Sequence, residues 1–157
     1  MPSQPQIRQA GAKRVAGLAL RTDNATEARA GGGKIPGLWE RYRREDWFGR
    51  LEKLGAFGPP IGVYSAYDSD VKGSFQILAG REIPSSVLIP ASFADVAIPS
   101  GKYLVFESTG PLPGSVVAGW QAVWAHFARH GAAQRSYTCD FEIYPSDHEV
   151  EIWVSVA

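Results

Sequence analysis

The sequence predicts an α+β fold in which two halves with the same order of elements share a largely antiparallel sheet. Segments with the apolar spacing of a helix alternate with pairs of strand-like segments. The order strand, helix, strand, strand occurs twice, in half-modules over about residues 5–83 and 93–157 of one domain. A Tyr-x-Ser-Asp tetrapeptide, at residues 67–70 and 144–147, falls in the turn between the last two strands of each half. Helices that alternate with hairpins predict helices on one face of the sheet.

The first half begins with a polar segment and an apolar strand. Residues 23–33 are small and polar and end in three glycines, which predicts a mobile loop. A helix is predicted from about Pro36, because proline is tolerated in a first turn, and it ends before Gly55. The strands of this half are predicted over residues 14–22, 61–67 and 74–83.

The second half repeats this order. Its helix is predicted over residues 115–130, where Trp120 and Trp124 lie on the apolar stripe and Gly131 is a natural stop. Its strands are predicted over residues 93–98, 102–108, 136–144 and 149–156.

Composition excludes several classes of protein. Of the 157 residues, 45% are hydrophobic and 20% are charged, which is typical of one globular domain. The 16 basic residues equal the 16 acidic residues, so direct nucleic-acid binding is not expected. The single cysteine excludes an internal disulfide. Because no signal peptide and no membrane-spanning apolar run is found, we expect a cytoplasmic protein without membrane contact.

The last two strands predict a surface that combines aromatic rings with carboxylates. Alternation assigns Val150, Ile152, Val154 and Val156 of one strand, and Tyr137, Cys139, Phe141 and Ile143 of the other, to the core face under the helices. The opposite face then carries Glu142, Tyr144, Glu151 and Trp153. Such a face suits a hydrophobic cation, because ring faces attract a positive charge and a carboxylate balances it. The alternative is that Trp153 covers a sheet edge or a dimer contact while the glutamates are simply solvated.

A set of short motifs, in a fixed order, resembles the GyrI-like family. The motifs are Ile35-Pro36-x-Leu38-Trp39, Gly62-Val63-Tyr64-x-x-Tyr67, Leu78-Ala79-Gly80-Arg81-Glu82, Gly101-Lys102-Tyr103-x-Val105-Phe106, Trp120-x-x-x-Trp124, Tyr137-Thr138-x-Asp140-Phe141-Glu142-x-Tyr144 and Val150-Glu151-Ile152-Trp153-Val154. The family includes effector-binding domains of AraC-type and MerR-type regulators, the Rob C-terminal domain and integron-cassette proteins. The resemblance covers Val15 to the C-terminus. It implies two strand–helix–strand–strand modules with a ligand groove between them.

The resemblance also implies a function and a set of site residues. We expect a stand-alone protein that binds a hydrophobic, cationic effector or drug, with a regulatory or resistance role, no cofactor, no metal and a monomeric or homodimeric state. Tyr64 and Trp120 are implied to reach the groove, and Glu142 to meet the cation. The full predicted ligand-binding set is Trp39, Tyr64, Tyr67, Trp120, Glu142, Tyr144, Glu151 and Trp153. Since no helix-turn-helix precedes these motifs, direct transcription control is not expected.

Hydrolysis is the alternative to binding, because some GyrI-like proteins open strained cyclopropane rings of DNA-alkylating natural products. In that case Glu142 or Glu107 would position or activate water, and Tyr64 or Tyr137 would donate a hydrogen bond to a carbonyl. Binding is favoured because it needs only shape and one counter-charge, but the sequence leaves both functions open.

Three other patterns carry little weight. The three glycines before Lys34 lack the remaining residues of a phosphate-binding loop and fit a flexible linker better. His126 and His130 are four residues apart on a predicted helix, but no third metal ligand accompanies them. Cys139 is expected to be an inert buried thiol.

Overall fold

The computed structural model describes residues 4–29, 33–70, 72–129 and 134–157, and it contains one antiparallel eight-stranded sheet. The strands are β1 (Gln6–Ala10), β2 (Lys13–Asp23), β3 (Phe57–Ser65), β4 (Ser74–Ile83), β5 (Ala94–Ile98), β6 (Gly101–Thr109), β7 (Cys139–Ser146) and β8 (Glu149–Ser155). Their order across the sheet is β1-β6-β8-β7-β3-β4-β2-β5. The order is symmetric about the central β7–β3 pair. Outward from that pair, one side runs β3, β4, β2 and ends at β5, and the other runs β7, β8, β6 and ends at β1. The predicted α+β class is confirmed.

Four helices lie in the described part of the chain: α1 (Asn24–Ala28), α2 (Ile35–Arg44), α3 (Trp47–Lys53) and α4 (Gly114–Phe127). Helices α2 and α3 pack on β2 and β4, and helix α4 packs on β6 and β8. They cover one face of the sheet through two buried apolar clusters, one in each half.

The segment predicted as a mobile loop, residues 23–33, contains a short capped helix. Asp23 caps α1 by accepting a hydrogen bond from the backbone N–H of Thr26 at 2.7 Å. Glu27 then accepts hydrogen bonds from the backbone N–H groups of Lys34 and Ile35. The loop prediction is therefore wrong for residues 24–28, because side chains satisfy the local backbone; residues 30–32 lie outside the described part.

The single helix predicted between Pro36 and Gly55 is two helices. Asp46 adopts a left-handed conformation, with φ of 52°, and its side chain accepts a hydrogen bond from the backbone N–H of Gly49. This capping ends α2 and starts α3 in a new direction, since a carboxylate that satisfies a free N–H stabilises a helix start.

Most strand predictions agree with the structure to within a residue or two, and two do not. Strand β3 begins at Phe57, four residues early, and its pairing with β4 is irregular between Phe57 and Ile61, where Pro59 and Pro60 lie. Strand β7 begins at Cys139, three residues late, since Tyr137 has a positive φ of 53° that interrupts extended backbone.

Short connections force the sheet to curl. Strand β5 forms one edge and ends at Ile98, whereas β6 lies beside the opposite edge and starts at Gly101. Three residue steps reach at most roughly 11 Å, so the two edges must approach each other. The face without helices is thus a concave interior, and it holds a third apolar cluster that includes Val63, Tyr103 and Phe141. The face without helices, where we expected a ligand-binding surface, is instead packed as a second core.

Candidate functional site

The helix-covered face contains a cavity of about 1470 Å³ between α2 and α4, with β3 and β7 at its floor. Nine aromatic side chains line it: Trp39, Tyr42, Phe48, Tyr64, Tyr67, Phe75, Trp120, Trp124 and Tyr144. The volume exceeds the range of about 300–1,000 Å³ that holds most small ligands. A large apolar cavity with a few polar groups is the usual form of a ligand site.

The register of β3 and β7 brings the floor together. Gly62 pairs with Glu142 across the two strands. A Cβ at Gly62 would lie 3.1 Å from Oε1 of Glu142 and 3.1 Å from Cζ2 of Trp39, which is closer than side chains normally pack. The missing side chain therefore lets the Trp39 ring approach the carboxylate across the strand.

Glu142 is buried at this floor with only neutral hydrogen-bond partners. Its side chain accepts hydrogen bonds from the hydroxyl of Tyr64 at 2.8 Å, the hydroxyl of Tyr144 at 2.5 Å and the indole N–H of Trp120. The residue is 1% exposed, and within the described residues no basic group forms an ion pair with it. Burial raises the pKa of Glu142, and the three hydrogen bonds only partly offset that rise. The carboxylate thus lacks a counter-charge.

The rings around Glu142 form an edge-to-face assembly. Trp39 meets Tyr144 with ring centroids 5.3 Å apart, and Tyr64 meets Trp120 at 5.2 Å. Burial, together with the adjacent Glu142, raises the pKa of Tyr64 and Tyr144 well above the ordinary value. Both hydroxyls therefore remain protonated and act as fixed donors toward the carboxylate.

A second buried carboxylate, that of Asp140, lies on the same strand but is neutralised. Arg135 donates from Nη2 to Oδ2 of Asp140 at 2.7 Å, and the hydroxyl of Tyr67 donates to the same oxygen at 2.5 Å. The other oxygen accepts hydrogen bonds from the backbone N–H and the hydroxyl of Ser155. The two acidic groups of β7 therefore differ in charge balance: one has a cation beside it and the other does not.

Six of the eight residues predicted to bind a ligand line this cavity, namely Trp39, Tyr64, Tyr67, Trp120, Glu142 and Tyr144. Glu151 and Trp153 do not. Across β7 and β8, Glu142 pairs with Ile152 and Phe141 pairs with Trp153, so Glu142 and Trp153 lie on opposite faces of the sheet. Their predicted common face is wrong, because Phe141 belongs to the concave core and not to the core beneath the helices.

Trp153 is covered on the concave face by neighbouring rings. It stacks on Phe141 with centroids 5.3 Å apart and planes 14° apart, and its indole N–H donates to Glu151 at 3.1 Å. Arg8 and Lys13 lie over the same ring, 5.7 Å and 6.0 Å from its centroid. The ring that we expected to contact a ligand packs within the protein.

Of the residues predicted for hydrolysis, Glu142 and Tyr64 are brought together, whereas Glu107 and Tyr137 lie away from them. Glu107 pairs with Glu151 on the far side of the sheet from Glu142 and forms an exposed ion pair with Arg8 at 3.5 Å. Tyr137 packs against the Tyr67 ring, 5.6 Å away, and does not line the cavity. Glu142 is the one predicted acid that reaches the cavity.

Arg135 and Gly62 shape the cavity and were not predicted as site residues. Arg135 lines the cavity, and its guanidinium lies 4.4 Å from the Tyr137 ring and 5.9 Å from the Trp120 ring. The available sequence signal was an arginine five residues before the aspartate of a buried strand, which is not specific.

Metal binding has no support among the described residues, which contain no group of three His, Cys, Asp or Glu side chains placed to hold an ion. His126 and His130, which were discounted as a metal pair, cannot be compared in the structure, because His130 lies outside the described residues. In the same segments no helix is both long enough and apolar enough to cross a bilayer.

Comparisons with known proteins place the chain in a family. The model of the GyrI-like small molecule binding domain matches residues 3–157. A Bacillus subtilis (strain 168) protein, "Putative transcriptional regulator protein YobU", is 30% identical over 154 residues, which cover 92% of each chain. An integron cassette protein of Vibrio cholerae, VCH_CASS2, is 33% identical with a TM-score of 0.84, over 99% of this chain and 97% of that one.

A further solved structure is that of SAV2435 bound to tetraphenylphosphonium. It is 21% identical with a TM-score of 0.78, over 99% of this chain and 94% of that one, so its likeness concerns the fold. The family model matches residues 3–157, a range that includes the cavity and its floor, and the two relatives at 30% identity or more cover 92% and 99% of this chain. The chain therefore belongs to the GyrI-like small-molecule binding domain family.

Proposed function

We propose that this protein binds a hydrophobic organic cation in the cavity between α2 and α4, with Glu142 as the counter-charge. The observation that carries the proposal is a carboxylate that is 1% exposed, has three neutral donors and has no cation beside it among the described residues. A buried charge is costly unless it is paired, so a bound cation would relieve that cost. The ligand would supply the charge that the protein lacks.

The aromatic lining supports the second part of the proposal. Faces of tryptophan and tyrosine attract a cation, and their apolar area favours a ligand whose charge is spread over hydrophobic groups. SAV2435, which has the same fold, binds tetraphenylphosphonium, a cation of this chemical class. The similarity to a protein named as a transcriptional regulator is consistent with a regulatory or resistance role.

Binding is preferred here over ring-opening hydrolysis. Hydrolysis needs a carboxylate within hydrogen-bond reach of a water and a donor aimed at the substrate. All hydrogen bonds of Glu142 in the cavity floor come from Tyr64, Tyr144 and Trp120, and Glu107 lies elsewhere. This arrangement suits a fixed counter-charge better than a base that activates water.

The test compares two ligands of the same shape and opposite charge, tetraphenylphosphonium and tetraphenylborate, by isothermal titration calorimetry. The wild-type protein is expected to bind the phosphonium and to bind the borate much more weakly. Glu142→Gln is expected to weaken phosphonium binding by about ten- to a hundredfold, which corresponds to roughly 1.4–2.8 kcal/mol. Glu151→Gln is the matched control, because the same change occurs on the opposite face of the sheet.

Two outcomes would contradict the proposal. One is equal affinity of the wild-type protein for the phosphonium and the borate. The other is phosphonium binding by Glu142→Gln that matches binding by Glu151→Gln. In either case shape and apolar area alone would account for the interaction.

A further inference from the structure

Arg135 separates a second buried carboxylate from the cavity. Asp140 and Glu142 are two residues apart on β7, so their side chains project to the same face about 7 Å apart. Arg135 lines the cavity and Asp140 does not. The guanidinium, 2.7 Å from the Asp140 carboxylate, therefore covers it on the cavity side.

The surroundings of Arg135 match those proposed for the ligand's cation. Its side chain is 7% exposed, it is paired with a carboxylate that is fully buried, and it lies over the rings of Tyr137 and Trp120. Trp120 also donates its indole N–H to Glu142, so the two charged groups share one indole as neighbour. A cation of the protein thus occupies one place where a carboxylate and aromatic rings meet, and the neighbouring place at Glu142 is left for a ligand.

The hydrogen bonds of Arg135 are incomplete. Nη2 donates to Asp140, whereas Nε is buried without an acceptor among the described residues. The guanidinium is held by one carboxylate oxygen and not by the two parallel bonds that fix a bidentate pair. Its charge is nevertheless retained: burial lowers the pKa of Arg135, but Asp140, Tyr67 and Tyr137 together more than offset burial, so the pKa is raised.

When Glu142 is ionised, the buried floor carries one net negative charge. Asp140 and Arg135 cancel, and Glu142 remains. The other charged residues of the lining lie farther out: Glu40 pairs with Arg43 in an exposed ion pair, and Asp70 and Asp147 are solvent-exposed, where salt screens them. The remaining acid, Glu27, is engaged by Thr22 and by backbone N–H groups.

From this balance we propose that Arg135 determines specificity by restricting the cavity to ligands with a single positive charge. The inference rests on the proposed function, since it concerns the same cavity. A dication with one charge at Glu142 would place its second charge beside the guanidinium, where little water screens the repulsion. To avoid this, it would have to displace Arg135 and break the buried ion pair.

The experiment uses two flat biaryl ligands of nearly identical shape, the monocation N-methyl-para-phenylpyridinium and the dication methyl viologen. Calorimetry gives the ratio of their affinities for each variant. The wild-type protein is expected to favour the monocation by about tenfold or more. Arg135→Gln removes the repelling charge and uncovers Asp140, so the ratio should fall by at least about tenfold or reverse. Arg135→Lys keeps the charge and should keep the wild-type preference.

A double variant protects the test against misfolding. Arg135→Gln alone leaves the Asp140 carboxylate buried without its cation, which destabilises a fold. Arg135→Gln with Asp140→Asn removes both charges, and the monocation preference should still shrink because the repulsion is gone. An unchanged ratio in a folded variant that still binds the monocation would overturn the role of Arg135 and leave the proposed function standing. If the wild-type protein binds neither tetraphenylphosphonium nor the two biaryl cations, both the proposed function and the role of Arg135 are overturned.

Discussion

Replacing Glu142 with glutamine is expected to stabilise the fold at neutral and higher pH even though it impairs cation binding. Burial opposes the charge of Glu142, and its hydrogen bonds from Tyr64, Tyr144 and Trp120 do not fully compensate, so its pKa is raised. Glutamine keeps the shape and can accept hydrogen bonds through its amide oxygen. It removes the charge, which is the destabilising feature of the unliganded protein, and it replaces one acceptor oxygen with an NH2 group that the rotatable hydroxyl of Tyr144 can accept.

The pH dependence follows from the direction of that shift. In the unfolded chain the carboxyl of Glu142 titrates near 4.5, and in the folded protein it titrates at a higher pH. Between these two pH values the folded state holds a proton that the unfolded state has lost. The contribution of Glu142 to the free energy of unfolding is thus complete below about pH 4.5 and falls as pH rises to the folded pKa, by at most about 1.4 kcal/mol per pH unit.

Glu142→Gln lacks this loss, so the stability difference between variant and wild type grows with pH and then levels off. A gain of about 1–2 kcal/mol at about pH 8 is the size usual when a functional residue that opposes stability is replaced. For a chain of this length that gain raises the melting temperature by about 2–8 °C. Urea unfolding of both proteins at about pH 5 and pH 8 measures the difference directly.

Other groups cancel in this comparison, because both proteins share them. Burial lowers the pKa of His126, for example, which makes stability fall as pH drops below the ordinary histidine pKa, equally in both proteins. Glu151→Gln again provides the matched control. A Glu142→Gln protein that is less stable than wild type at about pH 8, or whose difference from wild type does not change with pH, would refute the reasoning.

Two further predictions test the packing of the sheet. Gly17→Ala should lower the free energy of unfolding by about 3 kcal/mol or more in urea titrations, because the new Cβ would lie 2.0 Å from the carbonyl oxygen of Ala79. Gly11→Ala is the control, because a Cβ there would have no atom within 4 Å. Equal losses of stability in the two variants would contradict this packing. Trp153→Ala should lower the free energy of unfolding by roughly 2–4 kcal/mol, because it loses the stacking on Phe141, and should leave the cation affinity per folded molecule unchanged. Weaker cation binding without loss of stability would show instead that Trp153 contacts the ligand.

The element order could be predicted because each element carries its own local signal. Apolar spacing identified α4, and alternation with flanking turn residues identified the strand from Ser74 to Ile83 at its exact bounds. The break between α2 and α3 also had a local signal, since Asp46 precedes Gly49 as a helix cap does. The cap at Asp46 was not predicted, because apolar residues with helical spacing occur on both sides of the break between α2 and α3 and suggest one helix.

The faces of the central strands could not be predicted because both faces are buried. In β7, Phe141 faces the concave cluster and Glu142 faces the helices, and both are fully buried. Alternation separates the two sets of side chains but does not show which set lies under the helices. That choice depends on the curl of the sheet, which arises from connections between strands at opposite edges. Glu142 and Tyr144 were assigned to the wrong face for this reason, whereas Trp153 does lie on the face without helices.

The contrast between Asp140 and Glu142 connects packing to the proposed function. Both carboxylates are buried on one strand, and each accepts a tyrosine hydroxyl, but only Asp140 has a guanidinium beside it. Three neutral donors make the charge of Glu142 tolerable without neutralising it, since hydrogen bonds stabilise a carboxylate and leave its net charge in place. An arginine beside Glu142 would balance its charge, and a cationic ligand would then find no unpaired carboxylate in the cavity. The cost of the unpaired charge in the free protein is therefore the source of the affinity that we propose, because the ligand recovers it on binding.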